Sequence, residues 1–126
     1  MNIIDSSCWI EYLMDTEIGA SVAPVIEKSE DLIVPTITLY EVYKKLLTEK
    51  DENYASEVIT YMQTGNVVEL NVALSISAAE VSRKFKLSLA DSVIYATSLE
   101  YSATIYSCDK HFKEIQGVHY FQKTSQ

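Results

Sequence analysis

The chain has few of the residues that break or cross-link protein structure. Its 126 residues include two prolines, three glycines and two cysteines. Linkers and low-complexity tracts are absent, so the regular elements must follow one another closely. A secreted domain of this size would often carry more cysteines than these two, Cys8 and Cys108, and their spacing is not that of a zinc site. They lie near the ends of expected neighbouring strands, where a disulfide is conceivable, but we expect reduced thiols.

Long apolar runs are also missing. No stretch approaches the roughly 18 apolar residues of a transmembrane helix, and the N-terminus lacks the basic and apolar regions of a signal peptide. We therefore expect a cytoplasmic protein without membrane association. The length predicts one domain, residues 1–126, that is large enough to bury a core.

Positive charge is scarce as well. The formal net charge is −8, and Arg83 is the only arginine, which argues against nucleic-acid binding over the whole surface. Local basic clusters remain, and they provide candidate contacts to RNA phosphates: Arg83, Lys84, Lys86 and Lys44. Solvated helix ends are the alternative interpretation of the same residues.

What the chain does contain is an alternation of short apolar segments with helical patterns. We predict strands at 2–5, 32–34, 67–70, 104–107 and 118–121. We predict helices at 7–14, 18–28, 37–49, 52–64, 73–86 and 89–101, the first capped by Ser6 or Ser7. This alternation is typical of an α/β domain, a parallel sheet with helices on both faces. Periodicity does not give the order of the strands.

Four carboxylates occupy corresponding places in this pattern. Asp5 and Asp109 directly follow predicted strands, and Glu41 and Asp91 lie in the first turns of predicted helices. Ligands of open α/β sheets bind at the carboxyl ends of the strands. Hard oxygen ligands at that edge predict a site for Mg²⁺ or Mn²⁺.

Each acid alone also has a local interpretation. Glu41 fits a capping box with Thr38, and Asp91 fits one with Ser88. Asp5 could cap the first helix, and Asp109 could begin a turn. His111 is expected to be a solvated loop residue, with metal ligand or base as its alternative role.

Taken together, the acids require a cation if they converge. Two carboxylates ~5 Å apart repel by ~3 kcal/mol at an effective dielectric constant of 20. Four such groups would cost ~20 kcal/mol, more than the roughly 5–15 kcal/mol that stabilises a domain. Either the acids are separated, or a divalent ion or a bound basic group neutralises them.

The chain resembles the PIN-domain ribonucleases, in particular the VapC-type toxins. The resemblance covers nearly the whole chain and rests on four segments in the family's order, Ile-Ile-Asp-Ser-Ser, Thr-Leu-Tyr-Glu-Val, Leu-Ser-Leu-Ala-Asp-Ser-Val-Ile-Tyr-Ala-Thr-Ser and Ile-Tyr-Ser-Cys-Asp-Lys-His-Phe. It implies a sheet of order 3-2-1-4-5 and one or two Mg²⁺ or Mn²⁺ ions. The implied ligands and catalytic residues are Asp5, Glu41, Asp91 and Asp109. It also implies RNA as the substrate, a small antitoxin as a partner, and a homodimer.

A mechanism follows as a hypothesis. Metal-activated water would cleave the phosphodiester in line and leave a 5′-phosphate and a 3′-hydroxyl. Ser7 and Ser107 could orient water or an acid, or could simply be a helix cap and a strand-end hydroxyl.

Three other functions share parts of the pattern. One is a PIN-type module without catalysis that acts by binding partners. The second is a haloacid-dehalogenase-like phosphatase, which would need a second Asp where Ser7 stands. The third is a receiver-like phosphoacceptor domain, for which Lys110 matches the late lysine poorly.

Overall fold

The computed structural model describes residues 1–123, which form one five-stranded sheet and its surrounding helices. The strands are β1 (Asn2–Ile4), β2 (Leu32–Pro35), β3 (Asn66–Val68), β4 (Thr104–Ser107) and β5 (Val118–Tyr120). The α-helices are α1 (Ser6–Leu13), α2 (Glu17–Glu27), α3 (Thr36–Glu49), α4 (Glu52–Met62), α5 (Val72–Phe85) and α6 (Leu89–Tyr101). Short 3₁₀ helices lie at Ser29–Asp31 and Lys110–Phe112.

All neighbouring strands are parallel, and their order is β3-β2-β1-β4-β5. The predicted α/β fold class and strand order are therefore confirmed. The chain moves outward from β1 to β2 and β3, and then returns to the other side of β1 to form β4 and β5. The switch in direction lies between β1 and β4, which is the place where open α/β sheets bind ligands.

The sheet separates two apolar cores because successive side chains of a strand point to opposite faces. Ile3, Ile33 and Ile105 pack with residues of α5 and α6. Ile4 and Val34 pack instead with residues of α1 to α4, including the buried Trp9. Both faces are covered, which is why the strands are apolar runs rather than alternating patterns.

Helix α6 is the most deeply enclosed element. Every residue from Asp91 to Ser98 is buried, and the helix contacts α5, α3, β1 and β4. Its polar residues are satisfied internally; for example, the Thr97 hydroxyl donates to the Val93 carbonyl at 2.7 Å. The burial fixes the N-terminus of α6, and with it Asp91, against the centre of the sheet.

Most predicted boundaries differ from the structure by one or two residues, and the predicted serine cap of α1 is wrong. Asp5 occupies the N-cap position of α1, as its local interpretation allowed, but its side chain makes no capping hydrogen bond; Ser6 and Ser7 belong to the helix itself. The backbone turns directly from β1 into α1 at Asp5, so no serine precedes the first helical turn. Helix α4 ends at Met62 and β3 begins at Asn66. The side-chain amide of Asn66 donates to the Leu32 carbonyl at 2.9 Å and so ties the start of β3 to β2.

Within residues 1–123, no helix combines the length and apolar character needed to span a membrane.

Candidate metal centre and nucleic-acid groove

Asp5 and Asp109 lie side by side at the carboxyl edge of the sheet. Asp5 follows β1 and Asp109 follows β4 after one intervening residue. The two strands pair in parallel, with Ile4 opposite Tyr106, and the Asp5 amide continues the ladder by donating to the Tyr106 carbonyl at 2.9 Å. Residues about a hundred positions apart in sequence are thus held together by the central strand pair.

Two serine hydroxyls hold the carboxylate of Asp5. Ser7 and Ser107 each donate to Asp5 Oδ2 at 2.8 Å. Each hydroxyl oxygen also accepts a main-chain hydrogen bond from the segment after β4: Ser7 from the Cys108 amide at 3.1 Å, and Ser107 from the Asp109 amide at 2.9 Å. A hydroxyl has one proton to donate, so these contacts orient both serines toward Asp5. Oδ1 accepts neither serine proton.

Asp91 lies in the first turn of α6 and is a member of the acidic group. Ser88 is the N-cap of α6, and its hydroxyl accepts from the Asp91 amide at 3.4 Å. The Ser88 side chain is also hydrogen-bonded to the Asp91 carboxylate, whereas the second bond of a capping box would join that carboxylate to the Ser88 main-chain amide. The Ser88 cap is therefore confirmed and the reciprocal bond of the capping box is not, and the cap does not exclude a functional role for Asp91.

Asp109 likewise begins a turn while it faces the other acids. Its Oδ1 accepts from the His111 amide at 2.9 Å and so caps the short helix Lys110–Phe112. The same oxygen lies 2.7 Å from His111 Nδ1, and Asp91 Oδ2 lies 3.9 Å from that nitrogen. One oxygen of each acid and one ring nitrogen of His111 all lie within 4.8 Å of one another.

Glu41 approaches the site from α3. The helix begins at Thr36, so Glu41 lies in its second turn and the predicted capping box with Thr38 is wrong. Pro35 occupies the N-cap position instead, because β2 continues to the start of the helix. The Thr38 hydroxyl is buried without a hydrogen-bond partner among the described residues. The Glu41 carboxylate lies near Asp5 and Asp109, and the charges of both acids raise its pKa.

The four acids lie close enough for their charges to affect one another. Burial raises the pKa of Asp5 above its usual value, against the lowering effect of the Ser107 and Ser7 hydrogen bonds. Burial, followed by the charges of Asp109 and Asp5, raises the pKa of Asp91 to about 6. Burial and then the charge of Asp5 also raise the pKa of Glu41. Mutual repulsion and poor solvation thus oppose ionisation of the group.

The donor set fits a hard divalent cation. Carboxylate oxygens are the preferred ligands of Mg²⁺ and Mn²⁺, and a cation would relieve the repulsion that raises these pKa values. Asp5 is 2% exposed and unpaired with any basic side chain among the described residues. A buried carboxylate usually has such a counter-charge.

A groove of about 510 Å³ lies next to the acids, between α1 and α3. Its lining includes Ser6, Ser7, Ile10, Glu11, Tyr40, Glu41, Lys44, Lys45, Thr48, Glu49 and Lys123. Two of the lysines have carboxylate partners, Lys45 with Glu49 at 2.9 Å and Lys123 with Glu11 at 3.6 Å. Lys44 instead lies over the Tyr40 ring, 5.8 Å from its centroid.

The predicted basic residues therefore fall into two places. Lys44 lines the groove. Arg83 and Lys84 lie in the last turn of α5, and Lys86 follows it with a left-handed backbone (φ 60°). These three are exposed and do not line the groove. Lys45, the neighbour of Lys44 in the same basic cluster, also lines the groove. The sequence did not identify Lys123 or Tyr40 as neighbours of the site, because the convergence of α1, α3 and the C-terminal segment is a tertiary feature.

Three further residues matter near the site, His111, Cys8 and Cys108. His111 has a side chain that is 72% exposed, as expected for a loop residue, yet its ring touches Asp109; the spacing Asp-Lys-His is the only sequence signal of this contact.

Cys8 and Cys108 are buried free thiols, and a hydrogen bond between their side chains lowers the pKa of Cys108.

Solved structures with the same fold are numerous among toxin–antitoxin proteins. A toxin–antitoxin complex from Klebsiella pneumoniae matches with TM-score 0.75 and 20% identity over 94% of this chain and 96% of the other. VapC20 from Mycobacterium tuberculosis, described as a sarcin-ricin loop cleaving toxin, matches with TM-score 0.76 and 13% identity over 94% and 97%. DNA-bound VapBC from Salmonella typhimurium matches with TM-score 0.71 and 13% identity over 96% and 98%.

At the level of sequence, no curated protein matches this chain. The PIN domain family model, however, matches residues 3–118. That range contains all four acids, both serines and the strands that bring them together. The chain is therefore a member of the PIN domain family.

Proposed function

We propose that this protein is a divalent-metal-dependent endoribonuclease, the toxin of a toxin–antitoxin pair. The observation that carries the proposal is the buried Asp5 carboxylate at the switch point of the sheet, which faces three further acids without a basic partner among the described residues. Such an arrangement is unfavourable in the free protein and becomes favourable when a cation binds.

Asp5 and Asp91 are proposed as the principal ligands of Mg²⁺ or Mn²⁺, and Asp109 and Glu41 complete the site directly or through water. When bound, the ion lowers the pKa of a coordinated water and polarises the scissile phosphate. Ser7 and Ser107 hold Asp5 Oδ2, so that the carboxylate keeps one orientation. They are positioning residues, because they act through Asp5.

RNA is proposed to enter along the groove between α1 and α3. Glu41 lines this groove beside the other acids. Lys44 lies one helical turn further on and can hold a phosphate of the same strand. Water adds across the P–O3′ bond, which leaves a 5′-phosphate and a 3′-hydroxyl. RNA as a substrate is consistent with VapC20, a structural neighbour described as cleaving the sarcin-ricin loop, and implies action in the cytoplasm.

The proposed protein partner is a small antitoxin. Several structural neighbours are toxin–antitoxin complexes. Beside the first groove lies a second depression of about 600 Å³, and the two share Ile10 and Glu49. Leu13 and Leu46 line the second depression, so an antitoxin segment could place apolar side chains there and extend a basic side chain toward Glu41. A cognate antitoxin should inhibit cleavage, and Ile10→Arg should restore cleavage in its presence.

A homodimer is also proposed, through apolar residues that the monomer leaves exposed. Val72 and Ile76 of α5 are 78% and 58% exposed, and Leu89 at the start of α6 is 73% exposed. Trp9, in contrast, is buried in the monomer and cannot contribute to such a face.

A catalytically inactive PIN module is the competing possibility. The four acids argue against it, since an inactive module has no need to retain a repulsive buried cluster. The phosphatase alternative has lost its support: the chain belongs to the PIN family, and Ser7 stands where the second aspartate would be required. The receiver-like alternative fails for the same family reason.

The test is cleavage of total RNA by purified protein freed of antitoxin, with Mg²⁺, Mn²⁺ or EDTA. Asp5→Asn removes the buried charge, and Glu57→Gln removes an exposed charge of α4 as a matched control. We expect metal-dependent cleavage by the wild type and by Glu57→Gln, and none by Asp5→Asn. A folded wild-type protein that binds neither ion and cleaves no RNA would favour the inactive module.

A further inference from the structure

The most specific contact outside the four acids is that of His111 with Asp109 and Asp91. Its Nδ1 lies 2.7 Å from Asp109 Oδ1 and 3.9 Å from Asp91 Oδ2. The first distance is a hydrogen bond; the second is too long for one. The ring therefore lies between two carboxylates that also repel each other.

The position of the ring is imposed by the backbone. The Asp109 amide is fixed by Ser107 Oγ at 2.9 Å, and the Phe112 amide donates to the Asp109 carbonyl at 3.0 Å. Phe112 is fully buried in the core, so the segment that carries His111 is anchored at both ends. The His111 amide itself donates to Asp109 Oδ1. A loop histidine without a role has no need of such constraints.

The spacing of the three side chains matches one coordination sphere. Ligands ~2.1 Å from a metal lie ~3 Å apart when adjacent and ~4.2 Å apart when opposite. The observed separations of 2.7 Å and 3.9 Å from the nitrogen, and at most 4.8 Å within the trio, fall close to these values. A metal ion would take the place of the proton that Nδ1 and Asp109 share.

We propose that His111 is a direct metal ligand, through Nδ1, alongside Asp91 and Asp109. This inference rests on the proposed metal-dependent function and specifies the chemistry of its site. An imidazole nitrogen is a softer donor than a carboxylate, and it suits a first-row transition metal ion better than the hard Mg²⁺ ion. The site should therefore prefer Mn²⁺ to Mg²⁺, and the preference should depend on His111.

The experiment is pulsed electron paramagnetic resonance of the full, metal-freed protein loaded with less than one equivalent of MnCl₂. A coordinated imidazole gives ¹⁴N modulation of the Mn²⁺ signal, which carboxylates cannot give. The chain has two histidines, so His119→Asn is a matched control for His111→Asn. His119 lies on β5, between the rings of Tyr106 and Phe121 at 5.2 Å and 4.7 Å.

We expect ¹⁴N modulation in the wild type and in His119→Asn, and its loss in His111→Asn. The Mn²⁺ affinity of His111→Asn should fall about tenfold or more, and its Mg²⁺ affinity should fall less. Mn²⁺ that binds in an Asp91-dependent manner without nitrogen modulation would overturn the role of His111 and leave the proposed nuclease intact. Absence of Mn²⁺ binding by the folded wild type would overturn both.

Discussion

Ser107 donates its hydroxyl proton to Asp5 Oδ2 at 2.8 Å, across 102 positions of sequence. Ser7 donates to the same oxygen, and the two hydroxyl oxygens lie 3.3 Å apart. The buried carboxylate therefore has one oxygen that is held by two hydroxyls. The pairing of β1 with β4 makes this contact possible, so the acidic site and the central strand pair are one structural unit.

Replacing Ser107 by alanine should weaken metal binding. Asp5 would lose one hydroxyl donor, its pKa would rise further and its orientation would loosen. The expected loss is about 10- to 100-fold in Mn²⁺ affinity, the range for residues that orient metal ligands. Calorimetric titration measures the affinity, and Ser56→Ala, an exposed serine of α4, is the control. Unchanged affinity in a folded Ser107→Ala protein would contradict a positioning role.

The acids should also make the metal-free protein less stable as the pH rises. The folded-state pKa of Asp91 is about 6, compared with an ordinary value of 3.8. The folded protein thus binds this proton more tightly than the unfolded chain does. The resulting stabilisation is fully present below the unfolded pKa and is lost as the pH rises through about 6. Asp5 and Glu41 are shifted in the same direction.

Asp91→Asn tests this linkage directly. In EDTA at pH 7.5 the variant should be more stable than the wild type by about 1–3 kcal/mol, and the difference should disappear near pH 4. With saturating Mn²⁺ the order should reverse, because only the wild type gains binding free energy. Thermal unfolding across this pH range is the measurement, with Glu57→Gln as the control. A variant less stable than the wild type at pH 7.5 without metal would contradict the raised pKa.

The features of the fold that could be predicted from the sequence are those that depend on local residues. The helices and strands were predicted within a few residues, because apolar runs, Gly65 and the caps are local signals. The strand order came from the family resemblance, since periodicity says which residues face a core and not which strands are neighbours. The cap of α1 was assigned wrongly because Asp5 ends the strand and begins the helix at once.

The site shows the same division. The four acids could be selected by their places after strands and at helix starts, and their catalytic roles remain a prediction. That Ser7 and Ser107 could orient an acid was predicted, but their convergence on one oxygen of Asp5 could not be derived, because it requires the register of β1 against β4. His111 was expected to be solvated. Its ring is indeed exposed, but the burial of Phe112 places it against Asp109, and no sequence pattern encodes that anchor.

The two basic regions should differ in their effect on RNA. Lys44 lines the groove beside Glu41, whereas Lys84 lies outside that lining, 5.3 Å from the Phe85 ring centroid. Lys44→Ala should weaken binding of single-stranded RNA in EDTA and reduce the slope of log affinity against log salt by about 0.7. Lys84→Ala should leave both unchanged. If Lys84→Ala weakened RNA binding and Lys44→Ala did not, the RNA would instead bind at the end of α5.

The apolar surface of α5 should control the oligomeric state. A charge at Val72 would be exposed in the monomer and therefore tolerated, but it would be buried without a partner in a dimer formed through this face. Val72→Glu should shift the protein from dimer to monomer in sedimentation analysis without lowering its thermal stability at low concentration. Leu47→Glu, at an exposed leucine of α3, is the matched control. A dimer that survives Val72→Glu and Ile76→Glu but dissociates with Leu47→Glu would place the interface on α3, close to the groove proposed to hold RNA.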